Sequence, residues 1–237
     1  MTPETKELLQ ELFTATKILV NEKVLDGFGH VSVRSKTPTG DHYFMIRDNI
    51  CGRFDESDFL ELDLESNPIR SNGPRPSIER FIHGEIYKAR PDVNAIVHTH
   101  SPALIPFGTS RTPLQPLYHM CGFLHGGAPV FDIREKYGMT DLLITSSLHG
   151  RSLADSLSKS SIVLMRGHGA TVVGSSIQEV VFRSVYATTN AQMQPVAMQF
   201  GNPCFLSSEE AVLADELHNK VLFRPWDFWK SKLKTES

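Results

Sequence analysis

The sequence predicts an α/β protein whose sheet is mixed or largely antiparallel and carries helices on both faces. Segments with helical apolar spacing alternate along the chain with short strand-like segments, which predicts interleaved helices and strands. The first two strand-like segments are joined by the short, turn-rich KTPTGD, and only antiparallel neighbours can be joined so briefly. At 237 residues the chain fits one domain, which we expect to span 1–237 with a helical tail over about 207–237.

The elements of the N-terminal half follow from capping residues and periodicity. Thr2 and Pro3 suit the start of a first helix, whose inward positions recur at helical spacing: Leu8, Leu9, Leu12, Phe13 and Thr16. Three strands are predicted at HVSVRS, HYFMIR and FLELDL, and SNPIRSNGPRP predicts a loop. From Ser77, SIERFIHGEIYKAR predicts a helix with one apolar stripe: Ile78, Phe81, Ile82 and Ile86.

The C-terminal half continues this alternation. Strands are predicted at NAIVHTH and APVFDI, a helix over much of 139–158, and a strand, turn and strand in SIVLMRGHGATVVG. Ser176 with Glu179, and Ser207 with Glu210, have the spacing of a capping box and each predicts the start of a helix. Because RPWDFWKSKL carries two tryptophans, we expect this tail to be anchored against the body or a neighbouring subunit.

Composition excludes several classes of protein. With 40% hydrophobic and 22% charged residues the chain has a soluble globular composition, and a net charge of -3 predicts neither a nucleic-acid nor a membrane partner. The cysteines Cys51, Cys121 and Cys204 are widely spaced, so neither a disulfide framework nor a thiolate zinc site is indicated. The N-terminus mixes charges among its leucines, unlike a signal peptide. We expect a cytoplasmic protein.

Two histidines separated by one residue end a predicted buried strand, in AIVHTHSP. Alternate side chains of a strand share a face, so His98 and His100 should point the same way. The pair is half of a metal site or, alternatively, two cleft histidines with ordinary hydrogen bonds. His168 lies between two glycines after another apolar strand, and it is either a turn histidine or the third ligand of a catalytic metal with open positions.

A metal site that moves protons also needs a base within reach, and Glu79 is the candidate. We expect Glu79 in the first turn of the helix that begins near Ser77, where its alternative role is to complement the helix dipole. Other catalytic patterns are missing from the sequence. GFGHVS lacks the third glycine of a dinucleotide fingerprint, and there is neither a P-loop nor a G-x-S-x-G motif.

Three segments, GFGHVSVR, PSIERFIHGEIYKARPDVNAIVHTHSP and MRGHGATVVG, together resemble the class II aldolase/adducin family over about residues 8–200. The resemblance implies a three-layer αβα sandwich around a mixed, mostly antiparallel sheet, and usually a homotetramer with active sites between subunits. It also implies a divalent metal on His98, His100 and His168, with Glu79 as the acid/base. Zn²⁺ or Mn²⁺ is the expected ion, with Fe²⁺ as a further candidate. Adducin lacks these histidines, so their presence favours an enzyme.

The chain departs from the family's sugar-phosphate aldolases at the positions that bind phosphate. His30 stands where they carry asparagine, Arg47 stands among small hydroxyl and glycine positions, and the serine pair is reduced to Ser77 followed by Ile78. Small residues and free backbone amides form a phosphate-binding nest. These departures therefore argue against a sugar-phosphate substrate.

The same positions suit a planar carboxylate, and the pattern most resembles the family's aromatic decarboxylases. These act on 3-hydroxy-2-methylpyridine-4,5-dicarboxylate or dihydroxyphthalates. Arginine binds carboxylates through two parallel hydrogen bonds, although each arginine could instead form a surface salt bridge. PLYHMCGFL lies where the family sends a residue across the subunit interface. The predicted substrate-binding residues are Arg47, Arg75, Arg80, Tyr118 and Ser77.

We therefore expect a metal-dependent decarboxylase of a hydroxy-aromatic dicarboxylate, with a pyridine or benzene ring. Its CO2 would leave through an enolate or phenolate whose charge the divalent ion stabilises. The proton donor is Glu79, His30 or His119. One alternative is an aldolase or epimerase acting on an unphosphorylated hydroxy acid or sugar. The other is a non-catalytic, adducin-like assembly module.

Overall fold

The computed structural model describes residues 2–37, 40–46, 54–70 and 75–233. Its strands are β1 (His30–Thr37), β2 (Gly40–Ile46), β3 (Phe59–Asp63), β4 (Ala95–Thr99), β5 (Val130–Phe131), β6 (Ile162–Met165) and β7 (Gly169–Gly174). They form one seven-stranded sheet in the order β3-β2-β1-β4-β7-β6-β5. All neighbours are antiparallel except β5 and β6, so the sheet is mixed and mostly antiparallel, as predicted.

Helices cover both faces of this sheet. They are α1 (Pro3–Asn21), α2 (Phe81–Ala89), α3 (Ile105–Thr109), α4 (Arg134–Tyr137), α5 (Ser147–Leu157), α6 (Ile177–Gln199), α7 (Ser208–Asn219) and α8 (Phe223–Leu233), with 3-10 helices at Glu56–Asp58 and His119–Gly126. Helices α1, α6 and α8 pack on one face, whereas α2 and α5 pack against each other on the opposite face. The predicted three-layer αβα arrangement is therefore confirmed. None of the described helices has the length and apolar character needed to cross a membrane.

Two hydrophobic cores lie on opposite faces of the sheet. In β1 and β4, the side chains that face α1 and α6 are apolar: Val31, Val33, Ala95 and Val97. The alternate positions face α2 and α5, where Ile96 joins the second core and the polar residues His30, Ser32 and His98 are also buried. The central strands thus present an apolar face and a polar one.

One predicted helix start is wrong, and another predicted helix is shorter than expected. Helix α2 begins at Phe81 because residues 78–80 form a turn with three-residue hydrogen bonds, and Ile78 is 49% exposed rather than part of the buried stripe. The helix expected over much of 139–158 is confirmed only for Ser147–Leu157. Before it, the side chains of Thr140 and Asp141 accept hydrogen bonds from backbone amides two residues onward, which competes with helix formation.

The other end signals are largely confirmed. Ser207 and Glu210 form the complete capping box of α7. The Ser176 hydroxyl accepts a hydrogen bond from the Glu179 amide at the start of α6, but the Glu179 carboxylate accepts from the Ser175 amide, so this predicted box is only half formed. In the tail, the tryptophans of α8 are buried against the first core: Trp226 and Trp229.

Candidate metal centre

The sheet places two histidine-bearing segments side by side. β4 carries His98 and is followed directly by His100, while β7 pairs with β4 and is preceded by the turn that carries His168. Gly167 adopts a positive φ of 68°, and any Cβ at Gly169 would clash with the carbonyl oxygen of Thr99. The two glycines therefore let the turn reverse direction and approach the end of β4 closely.

Three imidazoles and one carboxylate converge at this end of the sheet. One ligand atom from each of four residues lies within 4.8 Å of the others, and we call this group the metal cluster: Glu79, His98, His100 and His168. The Nε2 atoms of His98 and His100 are 3.1 Å apart, and the carboxylate of Glu79 lies 3.7 Å from the Nε2 atom of His98. The same carboxylate lies 3.5 Å from the Nε2 atom of His168. The predicted metal ligands are thus brought together with the predicted base.

The far nitrogen of each imidazole has a hydrogen-bond partner that orients the ring. The partners of the three Nδ1 atoms are the Asp26 carboxylate at 3.2 Å from His100, the Leu142 carbonyl at 3.0 Å from His168, and the Thr171 hydroxyl at 3.4 Å from His98. A proton on Nδ1 satisfies each of these contacts and leaves the Nε2 lone pair facing the cluster.

The donor set fits a divalent cation. The Nε2 atom of His168 is buried and has no hydrogen-bond partner among the described residues. Two Nε2 lone pairs that face each other at 3.1 Å repel unless a positive charge lies between them. Two imidazoles on a tetrahedral zinc ion have their nitrogens about 3.3 Å apart. These residues therefore match a metal with nitrogen ligands and one oxygen ligand.

Glu79 lies in the turn before α2 rather than in its first helical turn. The carboxylate accepts a hydrogen bond from the Ile144 amide at 3.0 Å, and the Ser77 hydroxyl accepts from the Glu79 amide at 3.3 Å. Burial alone raises the pKa of the Glu79 carboxyl, but His168 and the Ile144 amide outweigh it, and the net shift is downward. The Glu79 carboxylate thus faces the three imidazoles of the metal cluster instead of capping α2.

His30 lies directly beside the metal cluster. It is opposite His98 in the β1–β4 pairing, with ring centroids 5.0 Å apart. Its Nδ1 atom is 2.7 Å from the Nε2 atom of His83, while its own Nε2 atom is buried without a partner. Burial lowers the pKa of His30 to about 4. His30 is therefore a neutral imidazole at neutral pH.

Sequence reasoning missed four polar residues around the cluster. Ser32, His83 and Tyr87 form a buried line of hydrogen bonds that ends at His30, and Asp26 holds His100. A signal for the first group was available, because Glu79, His83 and Tyr87 recur every four residues. His30 and Ser32 likewise alternate along one strand.

The predicted arginines lie outside the metal cluster or outside the described residues. Arg80 donates hydrogen bonds to the carbonyl oxygens of Ser66 and Ser77, so its guanidinium stabilises the turn before α2. Arg75 is exposed. Arg47 lies outside the described residues. A substrate-binding role for each of them stays a prediction.

Tyr118 and His119 are elsewhere in the single chain. Tyr118 packs against Tyr186 of α6, and His119 packs against His218 of α7 with ring centroids 5.1 Å apart. Among the described residues, no contact joins either of them to the metal cluster. Within one subunit His119 lines a surface groove formed with α6, α7 and α8.

Comparison with known proteins identifies relatives over most of the chain. The family model for the class II aldolase and adducin N-terminal domain matches residues 10–195. Decarboxylase tropJ of Talaromyces stipitatus is 36% identical over 242 residues, covering 92% of this chain and 91% of tropJ. A 3,4-dihydroxyphthalate decarboxylase of Rhodococcus jostii is 28% identical over 176 residues, covering 72% of this chain and 67% of the relative.

Solved structures share the fold. An aldolase II superfamily protein from Pseudomonas syringae superposes with a TM-score of 0.80 at 20% identity, covering 100% of this chain and 96% of the other. An L-fuculose 1-phosphate aldolase superposes with a TM-score of 0.72 at 23% identity, covering 92% of this chain and 98% of the other. At these identities the likeness establishes the architecture.

Proposed function

The chain belongs to the class II aldolase and adducin family and is a lyase like its relatives, and we propose that it decarboxylates a hydroxy-aromatic dicarboxylate. The observation that carries this proposal is the convergence of three imidazoles and one carboxylate within 4.8 Å. The proposal is supported by the names of two relatives, decarboxylase tropJ and the 3,4-dihydroxyphthalate decarboxylase. The replacement of phosphate-binding positions by His30 and Arg47 also supports it.

His98, His100 and His168 would hold the divalent ion, with Glu79 beside it. The set suits Zn²⁺, and Mn²⁺ or Fe²⁺ with additional oxygen ligands. When bound, the ion would supply Lewis-acid stabilisation of the negative charge that the ring carries after the carbon–carbon bond breaks. The protein's contribution is to aim the three imidazoles at the ion through the partners of their Nδ1 atoms.

Glu79 would carry the proton in this reaction. As a carboxylate, it takes the proton of the ring hydroxyl when the substrate binds, which leaves a phenolate and a neutral Glu79. It then gives that proton to the ring carbon bearing the departing carboxylate, and a new C–H bond forms. The C–COO⁻ bond breaks next, and its electron pair restores the aromatic ring. CO2 leaves, the product is a phenolate, and Glu79 is again ionised.

A neighbouring subunit would complete the pocket. We propose a homotetramer in which Tyr118 and His119 reach the metal cluster of another copy, because within one chain neither contacts it. Arg47 or Arg75 would hold the second ring carboxylate. His119 would then be a second candidate for the proton donor beside Glu79.

An aldolase acting on an unphosphorylated hydroxy acid or sugar is the second candidate. The structural likeness to L-fuculose 1-phosphate aldolase favours it, since the same metal and the same base can stabilise an enolate after retro-aldol cleavage. Against a phosphorylated substrate, His30 is buried against His83 where a phosphate-binding asparagine would be needed.

The two candidates are separated by their products. The purified protein is loaded with Zn²⁺ or Mn²⁺ and given hydroxy-aromatic dicarboxylates, hydroxy acids and sugars, with CO2 and aldehyde release measured in parallel. CO2 release only from the aromatic acids is the expected result. Aldehyde release without CO2 would replace the decarboxylase proposal by the aldolase.

Substituting Glu79 tests its proton-carrying role. Glu79→Gln should lower CO2 release about 10²–10⁴-fold while the three imidazoles retain the metal. The control is Glu65→Gln, which makes the same chemical change at an exposed residue and should leave the rate unchanged. Full turnover by Glu79→Gln would remove Glu79 from the reaction.

A further inference from the structure

A continuous line of hydrogen bonds runs beneath the metal cluster from Tyr87 to His30. The Tyr87 hydroxyl is 2.7 Å from the Ser32 hydroxyl, which is 2.6 Å from the Nδ1 atom of His83. The Nε2 atom of His83 is 2.7 Å from the Nδ1 atom of His30. Each of these four side chains is at most 5% exposed, so no bulk water competes for the contacts. We call this group the polar line.

The polar line is built from two regular elements. His30 and Ser32 alternate on the α2-facing side of β1, and His83 and Tyr87 are one helical turn apart on α2. Arg34 braces the far end, because its guanidinium lies 4.8 Å from the centre of the Tyr87 ring and donates to the Tyr87 and Val93 carbonyl oxygens. The line is therefore rigidly held, and its near end is the His30 ring packed on His98.

The hydrogen bonds of the polar line can all be donated in one of two directions, either toward His30 or toward Tyr87. In the first, Tyr87 donates to Ser32, Ser32 donates to His83, and His83 donates through Nε2 to the Nδ1 atom of His30. The proton of His30 is then on Nε2, on the side of the ring away from His83. Every donor of the line is used except that last N–H.

In the second direction, His30 donates through Nδ1 to His83, His83 donates to Ser32, and Ser32 donates to Tyr87. The Tyr87 O–H then has no acceptor among the described residues, because Ser32 is the only contact of that hydroxyl. The His30 Nε2 lone pair is also left without a donor. Two buried polar groups are unsatisfied instead of one, at a cost of about 1–3 kcal/mol each. The first direction is favoured.

We propose that Tyr87, Ser32 and His83 are positioning residues that hold His30 in the Nε2–H tautomer, as a fixed hydrogen-bond donor for an anionic oxygen of the substrate. This inference rests on the proposed function for the identity of the anion, which is a carboxylate or phenolate oxygen at the metal cluster. Among the described residues, the Nε2–H is the one donor of the line without a partner, and a substrate oxygen would supply that partner. Donors fixed before the reaction stabilise developing negative charge without reorganisation.

The same line makes His30 a poor source for the proton that reaches the ring carbon. Giving up the Nε2 proton would draw one proton along each link and leave the negative charge on Tyr87. Burial raises the pKa of the Tyr87 hydroxyl well above its usual value, so a phenolate there is costly. Proton transfer thus falls to Glu79 or His119, and His30 acts by hydrogen bonding.

Neutron diffraction from deuterium-exchanged crystals tests the tautomer directly, because it locates deuterons on histidine and hydroxyl groups. The zinc-loaded protein is used, with no substrate. The expected result is a deuteron on Nε2 of both His30 and His83, and none on their Nδ1 atoms. A deuteron on Nδ1 of His30, or a metal bound through its Nε2 atom, would overturn the inference. Because no turnover is involved, this result does not depend on the proposed reaction.

A matched pair of variants at His83 tests the effect on catalysis. His83→Gln keeps an N–H that can donate to His30, whereas His83→Leu does not. We expect kcat/KM to fall about 10²-fold in His83→Leu, as when one fixed donor is lost, and to be restored within about threefold in His83→Gln. Equal losses in two folded, metal-loaded variants would contradict the donor role. If the wild-type protein shows no decarboxylation, the proposed function fails while the neutron result still decides the tautomer.

Discussion

The two faces of the central strands differ sharply, although alternate residues of the same two strands, β1 and β4, build both. On the side of α1, α6 and α8, the strands present apolar side chains to a continuous hydrophobic core. On the side of α2 and α5, alternate positions carry histidines and a serine at the same depth of burial. Buried polar groups lower stability unless they are bonded. The first face of these two strands therefore contributes packing energy alone, whereas the second combines a hydrophobic core with the polar residues of the site.

The largest effect should come from removing one metal ligand on the polar face. His168→Ala leaves two imidazoles, so we expect tightly bound metal to be lost and turnover to fall by at least about 10³-fold. The free energy of unfolding of the metal-free protein should change little, because, of the described residues outside the metal cluster, only Leu142 forms a hydrogen bond with the His168 side chain. Elemental analysis and urea denaturation give the two measurements. A variant that keeps stoichiometric metal would contradict the three-imidazole site.

The apolar face should show the opposite behaviour. Leu12→Ala in α1 creates a cavity at a fully buried position, and we expect it to lower the free energy of unfolding by about 2–5 kcal/mol. Metal affinity should be unchanged, since Leu12 belongs to the core on the other side of the sheet. Denaturation midpoints and metal titrations of the same preparations compare the two faces directly. Loss of both properties together would show that the faces are not separate.

A smaller effect should come from Asp26, which acts on the metal only through His100. Asp26→Asn replaces the carboxylate that faces the Nδ1 atom of His100, and we expect metal affinity to fall about 10–100-fold. Asp227→Asn makes the same change of charge at an exposed position of α8 and serves as the control. Metal competition titrations with a chromophoric chelator measure both variants. Unchanged metal affinity in Asp26→Asn would mean that the Asp26 carboxylate does not contribute to metal binding through His100.

A fourth effect should appear in the pH dependence of the stability of the metal-free protein. Burial places the pKa of His83 well below its usual value and that of His30 at about 4. Below about pH 6.5 the unfolded chain binds protons that the native state excludes, so stability falls as pH falls from 6.5 toward 4. Each such group contributes about 1.4 kcal/mol per pH unit.

His83→Gln removes one of the two buried histidines. The unfolding free energy of this variant should therefore decline less steeply between pH 6.5 and 4 than that of the wild-type protein. The slope, rather than the absolute stability, is the quantity compared, because the substitution itself changes packing. His125→Gln makes the same substitution at an exposed position and is the control. Identical slopes in His83→Gln and the wild-type protein would mean that His83 is not held neutral.

Strand periodicity and turn chemistry predicted the mixed sheet and singled out the three histidines, while the family resemblance supplied the three-layer fold and the prediction that the histidines bind a metal. His98 and His100 alternate at a strand end, and the glycines around His168 indicated a close backbone approach, both of which are local properties. The polar line was missed because it depends on β1 pairing with β4 and on α2 packing over both. Nothing within either segment indicates that Ser32 meets His83 and Tyr87.

Other errors came from signals that compete within a few residues. The sequence predicts Glu79 inside a helix because the apolar stripe begins near Ser77. The turn at residues 78–80 is instead stabilised by Arg80, whose partner Ser66 is distant in the sequence. Among the described residues, Tyr118 and His119 have no contact with the metal cluster of their own chain, so their roles stay predictions. A single sequence cannot show what another subunit brings. These two residues can be assigned only from the assembled protein.

X-ray absorption at the edge of the bound metal tests the central feature, which is the three-imidazole site, most directly. The protein is purified without added chelator, loaded with one equivalent of Zn²⁺, and measured in solution. We predict a shell of nitrogen and oxygen scatterers with the multiple-scattering signature of three imidazoles, reduced to two in His168→Ala. A wild-type protein that binds no zinc, or a zinc shell without imidazoles, would contradict the site.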